Sequence, residues 1–191
     1  MKRLKIPSTL AFLLSTVAFA NYVSASELSF RISNDTVGGG LEGNVGESDM
    51  FAGFEHMYKD KDDAINISNL NFHTRGQTVV GNMPTTVMIG LEATHMKEGA
   101  FKGSAIAFGG NIRMNLPSAP GLSLETRLHY APDIVSYGDS DRFTRARAQI
   151  NYRVIKSADI SAGYQYLNTG VKDGDDRTFE SGLYVGLKLV F

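Results

Sequence analysis

The segment Phe179-Glu180-Ser181-Gly182-Leu183-Tyr184-Val185-Gly186-Leu187-Lys188-Leu189-Val190-Phe191 decides the fold class. Side chains on a strand alternate between two faces. One face carries Phe179, Ser181, Leu183, Val185, Leu187, Leu189 and Phe191, apolar at all but one position. The other carries Glu180, Gly182, Tyr184, Gly186, Lys188 and Val190, which are mixed, small or charged. A strand that closes a soluble domain frays at its last residue. This one keeps its apolar period to Phe191, as expected of a strand that pairs with the first strand to close a membrane barrel.

The same period of two recurs upstream. Ile160, Ala162, Tyr164 and Tyr166 oppose Asp159, Ser161, Gly163 and Gln165. Ala146, Ala148, Ile150, Tyr152 and Val154 oppose Arg145, Arg147, Gln149, Asn151 and Arg153. Leu122, Leu124, Leu128 and Tyr130 oppose Ser123, Glu125, Arg127 and His129. Ile106, Phe108, Ile112, Met114 and Leu116 oppose Ala107, Asn111, Arg113 and Asn115, and Val87, Ile89, Leu91 and Ala93 oppose Met88, Glu92 and Thr94. Segments near the ~10 residues of a tilted membrane strand, repeated with turn residues between them, predict an all-β antiparallel transmembrane barrel. Short connections at 117–121 and 155–157 alternate with long polar ones at Pro132–Arg142 and Thr169–Asp176. The N-terminal third is harder to read. Leu28, Phe30 and Ile32 alternate, Thr36–Val45 is glycine-rich and weak as a strand, and Arg75–Pro84 reads as a longer periplasmic connection. The count is ten strands, or eight if the first strands merge.

Residues 1–20 read as a cleaved signal peptide: Lys2, Arg3 and Lys5, then an apolar run to Ala18-Phe19-Ala20, with a second cleavage candidate after Ala25. That leaves 21–191 as one barrel domain. Losing the leader removes three positive charges and no acid, so the formal net charge falls from −1 to −4. The remainder has no basic patch suited to nucleic acid. No cysteine is present, so neither a disulfide framework nor a lipoprotein attachment site exists. No later apolar run reaches the ~20 residues of a membrane helix, which leaves a closed barrel as the way to span a bilayer.

On this reading Arg113, Glu125, Arg127, Arg145, Arg147, Arg153, Asp159 and Glu180, with Glu92 and Lys188, point into the lumen. Arg153 and Asp159 fall opposite each other across a short turn. Small barrels are filled by side chains, and buried charges need partners. A salt-bridged plug is therefore favoured over a narrow charged pathway. Tyr130, Tyr152, Tyr166 and Phe179 have outward parity near strand ends, as aromatic girdles do; Phe143 has inward parity. His56, His73, His95 and His129 lack metal-ligand spacing, and Gly38-Gly39-Gly40 is not followed by the Lys-Ser/Thr of a phosphate loop. No cofactor is expected. The best catalytic grouping is His129 with Ser136, Asp133 or Asp139, which would suit a lipid-modifying enzyme. Acidic runs at 139–141 and 173–176 are candidate sites for a divalent cation between lipopolysaccharide phosphates.

The ending resembles the C-terminal signal read by the outer-membrane assembly machinery. That resemblance implies roles for Leu187, Leu189 and Phe191 as an assembly signal, with the machinery and periplasmic chaperones as partners during biogenesis. Tyr130-Ala131-Pro132-Asp133, Ala162-Gly163-Tyr164-Gln165-Tyr166, Lys172-Asp173-Gly174-Asp175-Asp176 and Gly182-Leu183-Tyr184-Val185-Gly186-Leu187 together resemble the YfaZ family of small Gram-negative outer-membrane proteins. The resemblance implies an outer-membrane barrel surrounded by lipid and lipopolysaccharide. It implies no activity and no catalytic residues. The expected function is a structural or narrow-pore barrel. The alternatives are the lipid-modifying enzyme and a soluble periplasmic ligand-binding barrel with inverted faces.

Overall fold

The computed structural model describes residues 23–60, 63–172 and 174–191. The segment read as a signal peptide lies outside the described residues. The strands are β1 (Val23–Ile32), β2 (Thr36–Val45), β3 (Met50–Lys59), β4 (Ile65–Val80), β5 (Met83–Glu98), β6 (Phe101–Asn115), β7 (Leu122–Ala131), β8 (Ser136–Gly138), β9 (Ser140–Ile155), β10 (Ala158–Val171) and β11 (Arg177–Val190). Pairing runs antiparallel from β1 through β7 to β9, β10 and β11, and β11 returns to β1 from Glu27↔Val190 to Ile32↔Val185. The result is a closed barrel of ten staves. Closure removes the free edges from the body of the ring, the requirement for strands in hydrocarbon, and leaves them only where the β4–β5 hairpin and β8 extend past a neighbour. The short β8 pairs with Gly103–Ala105 and prolongs the place of β7 in the ring.

The alternative of eight strands fails because Thr36–Val45 pairs along its length with both β1 and β3. The segment Arg75–Pro84 is not a periplasmic connection. It lies in a long hairpin, paired from Ile65↔Glu98 to Val80↔Met83 with Gly81-Asn82 as its turn. Gly81 has φ +63°, the left-handed value a two-residue hairpin favours. Pro84 is tolerated because β6 reaches β5 only at Thr85↔Met114, so the proline sits past its second neighbour. The connections expected at Pro132–Arg142 and Thr169–Asp176 are shorter than anticipated, since β9 begins at Ser140 and β10 runs to Val171.

β1 starts and β11 finishes at what we call the inner end, following the periplasmic habit of short turns. The outer end carries the β1–β2, β3–β4, β5–β6, β7–β9 and β10–β11 connections. Across the middle and inner parts the outward face is apolar: Leu70, Leu128 and Val185 are each at least 60% exposed. Toward the outer end the polarity inverts. Ile65, Ile67, Met96, Phe101, Phe143, Leu167 and Phe179 point inward and form one buried cluster with Met57. Their outward neighbours Asn66, Ser68, Lys97 and Lys102 are polar. The outer end is thus packed like a soluble protein, while the rest is turned inside out for lipid.

Phe179 corrects the girdle expectation. It is fully buried and stacks on Phe101 with ring centroids 5.6 Å apart. Leu167 pairs with Glu180 but Asn168 pairs with Thr178, so Phe179 is the extra residue of a bulge. One inserted residue flips the parity of everything beyond it. A spin label on cysteine at Ile150 should relax with a lipid-soluble paramagnetic reagent, and one at Gln149 should not. The opposite pattern would mean that the faces are inverted.

Candidate functional site, a charged lumen

Midway along the lumen one carboxylate gathers four guanidinium groups. Glu55 on β3 lies 2.7 Å from Arg31, 3.1 Å from Arg147, 3.2 Å from Arg145 and 3.9 Å from Arg127. These five residues come from β1, β3, β7 and β9, so the ion cluster ties opposite walls together. All five side chains are largely withdrawn from solvent, at 4–11% exposure. Glycine makes the room. Gly38 and Gly40 face inward from β2; a Cβ on Gly40 would lie 3.5 Å from the Glu55 Cβ, and one on Gly38 3.7 Å from the Arg31 guanidinium.

Arg145 also reaches Glu92 at 3.2 Å, and Thr94 donates to Glu92. Glu92 is fully buried, and His129 Nδ1 stands 4.0 Å from it. His129 Nε2 lies 3.0 Å from His73 Nε2. This contact has a simple backbone cause. Cross-strand pairing runs His73↔Gly90, Gly90↔Gly109 and Gly109↔His129. Neither glycine has a side chain to fill the lumen, so the two imidazoles meet over the gap.

Toward the inner end, Glu125 accepts hydrogen bonds from Gln149 and Asn151 at 3.3 Å, with Lys188 3.8 Å away. Tyr184 donates its hydroxyl to Gln149. Lys188 also pairs with Glu27 at 3.1 Å. At the inner mouth Asp159 holds Arg113 at 2.6 Å and Arg153 at 3.2 Å. At the outer end Glu180 accepts from Thr36 at 2.5 Å and pairs with Lys59 at 3.3 Å. The space left between these groups is about 50 Å³, bordered by Glu42, Glu55, Asn71, Glu125, Arg127 and Arg147. On this measure roughly 10–15 Å³ admits one water, so a few ordered waters fit among the charges.

All eight residues expected in the lumenal charge network lie on the inward side of the ring, and they form separate clusters along it. Arg127, Arg145 and Arg147 meet at the hub, Glu125 lies below it, Arg113, Arg153 and Asp159 occupy the mouth, and Glu180 is near the outer end. Sequence reasoning missed the hub itself. On β3 both faces mix apolar and polar residues, so nothing marked Glu55 as inward. Glycines hid the strand that backs Arg31. Tyr130 and Tyr152 are half exposed on the outer face, Tyr166 is partly covered, and Leu187 and Phe191 face outward with Leu189 partly covered between them.

The grouping of His129 with Ser136, Asp133 and Asp139 is not formed. His129 is turned toward His73 inside the lumen, Ser136 donates to the Pro132 carbonyl, Asp133 accepts from the Ile134 amide, and Asp139 accepts from the Lys102 amide. In the acidic runs, Asp176 instead pairs with Arg142 at 2.6 Å. Among the described residues no three His, Asp or Glu side chains converge as metal ligands.

The family model described as "YfaZ precursor" matches residues 1–191. The chain is 33% identical over 91 residues to "Outer membrane protein YfaZ" of Escherichia coli (strain K12), a match covering 47% of this chain and 49% of that protein. The chain thus spans about half the length of the curated relative it matches. Among solved structures, it is similar to a "Bacterial polysaccharide outer membrane secretin" with a TM-score of 0.46 and 11% identity, over 82% of this chain and 56% of that one. It is also similar to the outer membrane channel DcaP of Acinetobacter baumannii, with a TM-score of 0.42 and 10% identity over 87% and 59%. A closed strand ring with a lipid-facing belt, matched along its whole sequence by one family model, is an outer-membrane β-barrel, and the chain belongs to the YfaZ family.

Proposed function

We propose that this protein is a structural outer-membrane barrel whose lumen is shut by its own charges. The observation that carries the reading is Glu55 held by four guanidiniums drawn from opposite walls. To pass a solute, that cluster would have to open, leaving charges uncompensated in a confined space at a cost of several kcal/mol per ion. The apolar cluster above it adds a second barrier. Lipid and lipopolysaccharide around the belt, and the assembly machinery and chaperones during biogenesis, are the partners that fit such a barrel.

Planar-bilayer recording of the purified, refolded protein tests this. The expected trace has no conductance steps at moderate voltage. Reproducible steps from the unmodified barrel would replace the plug with a narrow pore.

A further inference from the structure

The outer face of β3 to β6 has a graded series of cross-strand rows. Phe54, Leu70, Ala93 and Ile106 are lateral neighbours and end the apolar belt. One row nearer the outer end stand His56, Ser68, His95 and Ser104, with Tyr137 of β8 beside Ser104. His56 Nδ1 lies 2.9 Å from Ser68 Oγ, and His95 Nδ1 lies 2.9 Å from Ser104 Oγ. The next row is Tyr58, Asn66, Lys97 and Lys102. A groove of about 380 Å³ runs over the first two rows, bordered by Leu70, Ala93, His95, Ile106 and Tyr137.

Lys97 and Lys102 are exposed and directly opposite each other across the β5–β6 hairpin. Like charges so placed repel. Neither has a carboxylate partner among the described residues, whereas Lys59, Arg142 and Arg177 at the same end each hold one. An uncompensated cation pair directly above hydrogen-bonding side chains, themselves above an apolar groove, matches an amphiphile with an anionic head. The geometry points to a binding site for a phosphorylated glycolipid of the outer leaflet, a reading that rests on the outer-membrane barrel proposed above. Its phosphate sits between the Lys97 and Lys102 ammonium groups, and an acyl chain lies in the groove over Ala93. Ala93 and Lys97 are four residues apart, roughly 13 Å along the strand, and the intervening row takes up half of it. That depth, lined by imidazole and hydroxyl groups, fits a sugar ring between phosphate and chain. A glycerophospholipid has only glycerol there.

The test uses the full barrel in detergent, titrated with lipopolysaccharide, with its enzymatically dephosphorylated form and with phosphatidylglycerol micelles. Heat-modifiable gel mobility of each variant reports barrel formation separately. The Lys97→Gln/Lys102→Gln double variant should keep that mobility and bind lipopolysaccharide about thirtyfold more weakly, from the loss of two interfacial lysines. Ala93→Phe, which fills the groove and keeps both lysines, should weaken binding as well. Undiminished binding by the double lysine variant overturns the proposal. So does equal binding of the dephosphorylated form or of phosphatidylglycerol. Absence of heat-modifiable mobility in the unmodified protein would instead remove the barrel reading, and the proposed site with it.

Discussion

Replacing Glu55 by alanine lowers the stability of the refolded barrel by about 3–5 kcal/mol, the cost of stranding a buried partner charge. The size follows from what the neighbours have left. Arg31 and Arg147 hold no other carboxylate among the described residues, while Arg145 keeps Glu92 at 3.2 Å. All these groups lie where water has little access, so solvent cannot take over from the lost anion. Circular dichroism followed through urea denaturation gives the measurement. Glu55→Gln should fall in the same direction, because it keeps the shape and an acceptor oxygen but removes the charge. Adding Arg147→Ala to Glu55→Ala should recover part of the loss, since the double variant leaves one fewer stranded cation. A change below about 1 kcal/mol in Glu55→Ala, the size of an exposed ion pair, would mean that the hub is hydrated and the plug is weak. The same variant should also show intermittent leak in planar bilayers.

Gly109→Ala abolishes barrel formation. A Cβ at this position would fall on the carbonyl oxygen of Leu128, with the His129 Cα only 2.7 Å away. Both are backbone atoms of the paired strand, so no rotamer change relieves the overlap, and the β6–β7 ladder itself has to separate. Gly90→Ala meets the Phe72 carbonyl in the same way and should fail likewise. Gly39→Ala is the control: its Cβ would lie no closer than 3.6 Å to any atom, and the variant should assemble normally. Heat-modifiable mobility of membrane fractions distinguishes these outcomes. A folded band for Gly109→Ala at the level of Gly39→Ala would show that these strands have slack that the observed pairing does not allow.

The C-terminal half was legible because β7, β9, β10 and β11 keep one polarity over most of their length. Polar inward and apolar outward residues alternate from Leu122 to Tyr130, broken only by Thr126, and from Arg145 to Val154. Phe179 was misread because period two holds only between bulges, and a bulge leaves no mark in local composition. The glycine-rich β2 was undervalued for a different reason. Gly38 and Gly40 are poor strand formers, but their lack of side chains is what admits Arg31 and Glu55 to the lumen. The hub could be found only by pairing β3 with β9 through space, across 92 residues of sequence for Glu55 and Arg147. The turn at Gly81-Asn82 was obscured by Pro84, a residue that argues against a strand unless one side of that strand is known to be free.

The reversal of polarity along the staves has a directional consequence for biogenesis. While the outer segments pass through hydrocarbon, their eventual arrangement is the wrong one, with Lys97, Lys102 and Asn66 outside and Ile67, Met96 and Phe143 within. They must therefore cross before they condense. Once the aromatic cap has closed on the far side, withdrawal would drag charged and amide groups back through the acyl phase, at several kcal/mol for each lysine at its midplane. A cap closed in this way would oppose withdrawal of the barrel once it is inserted.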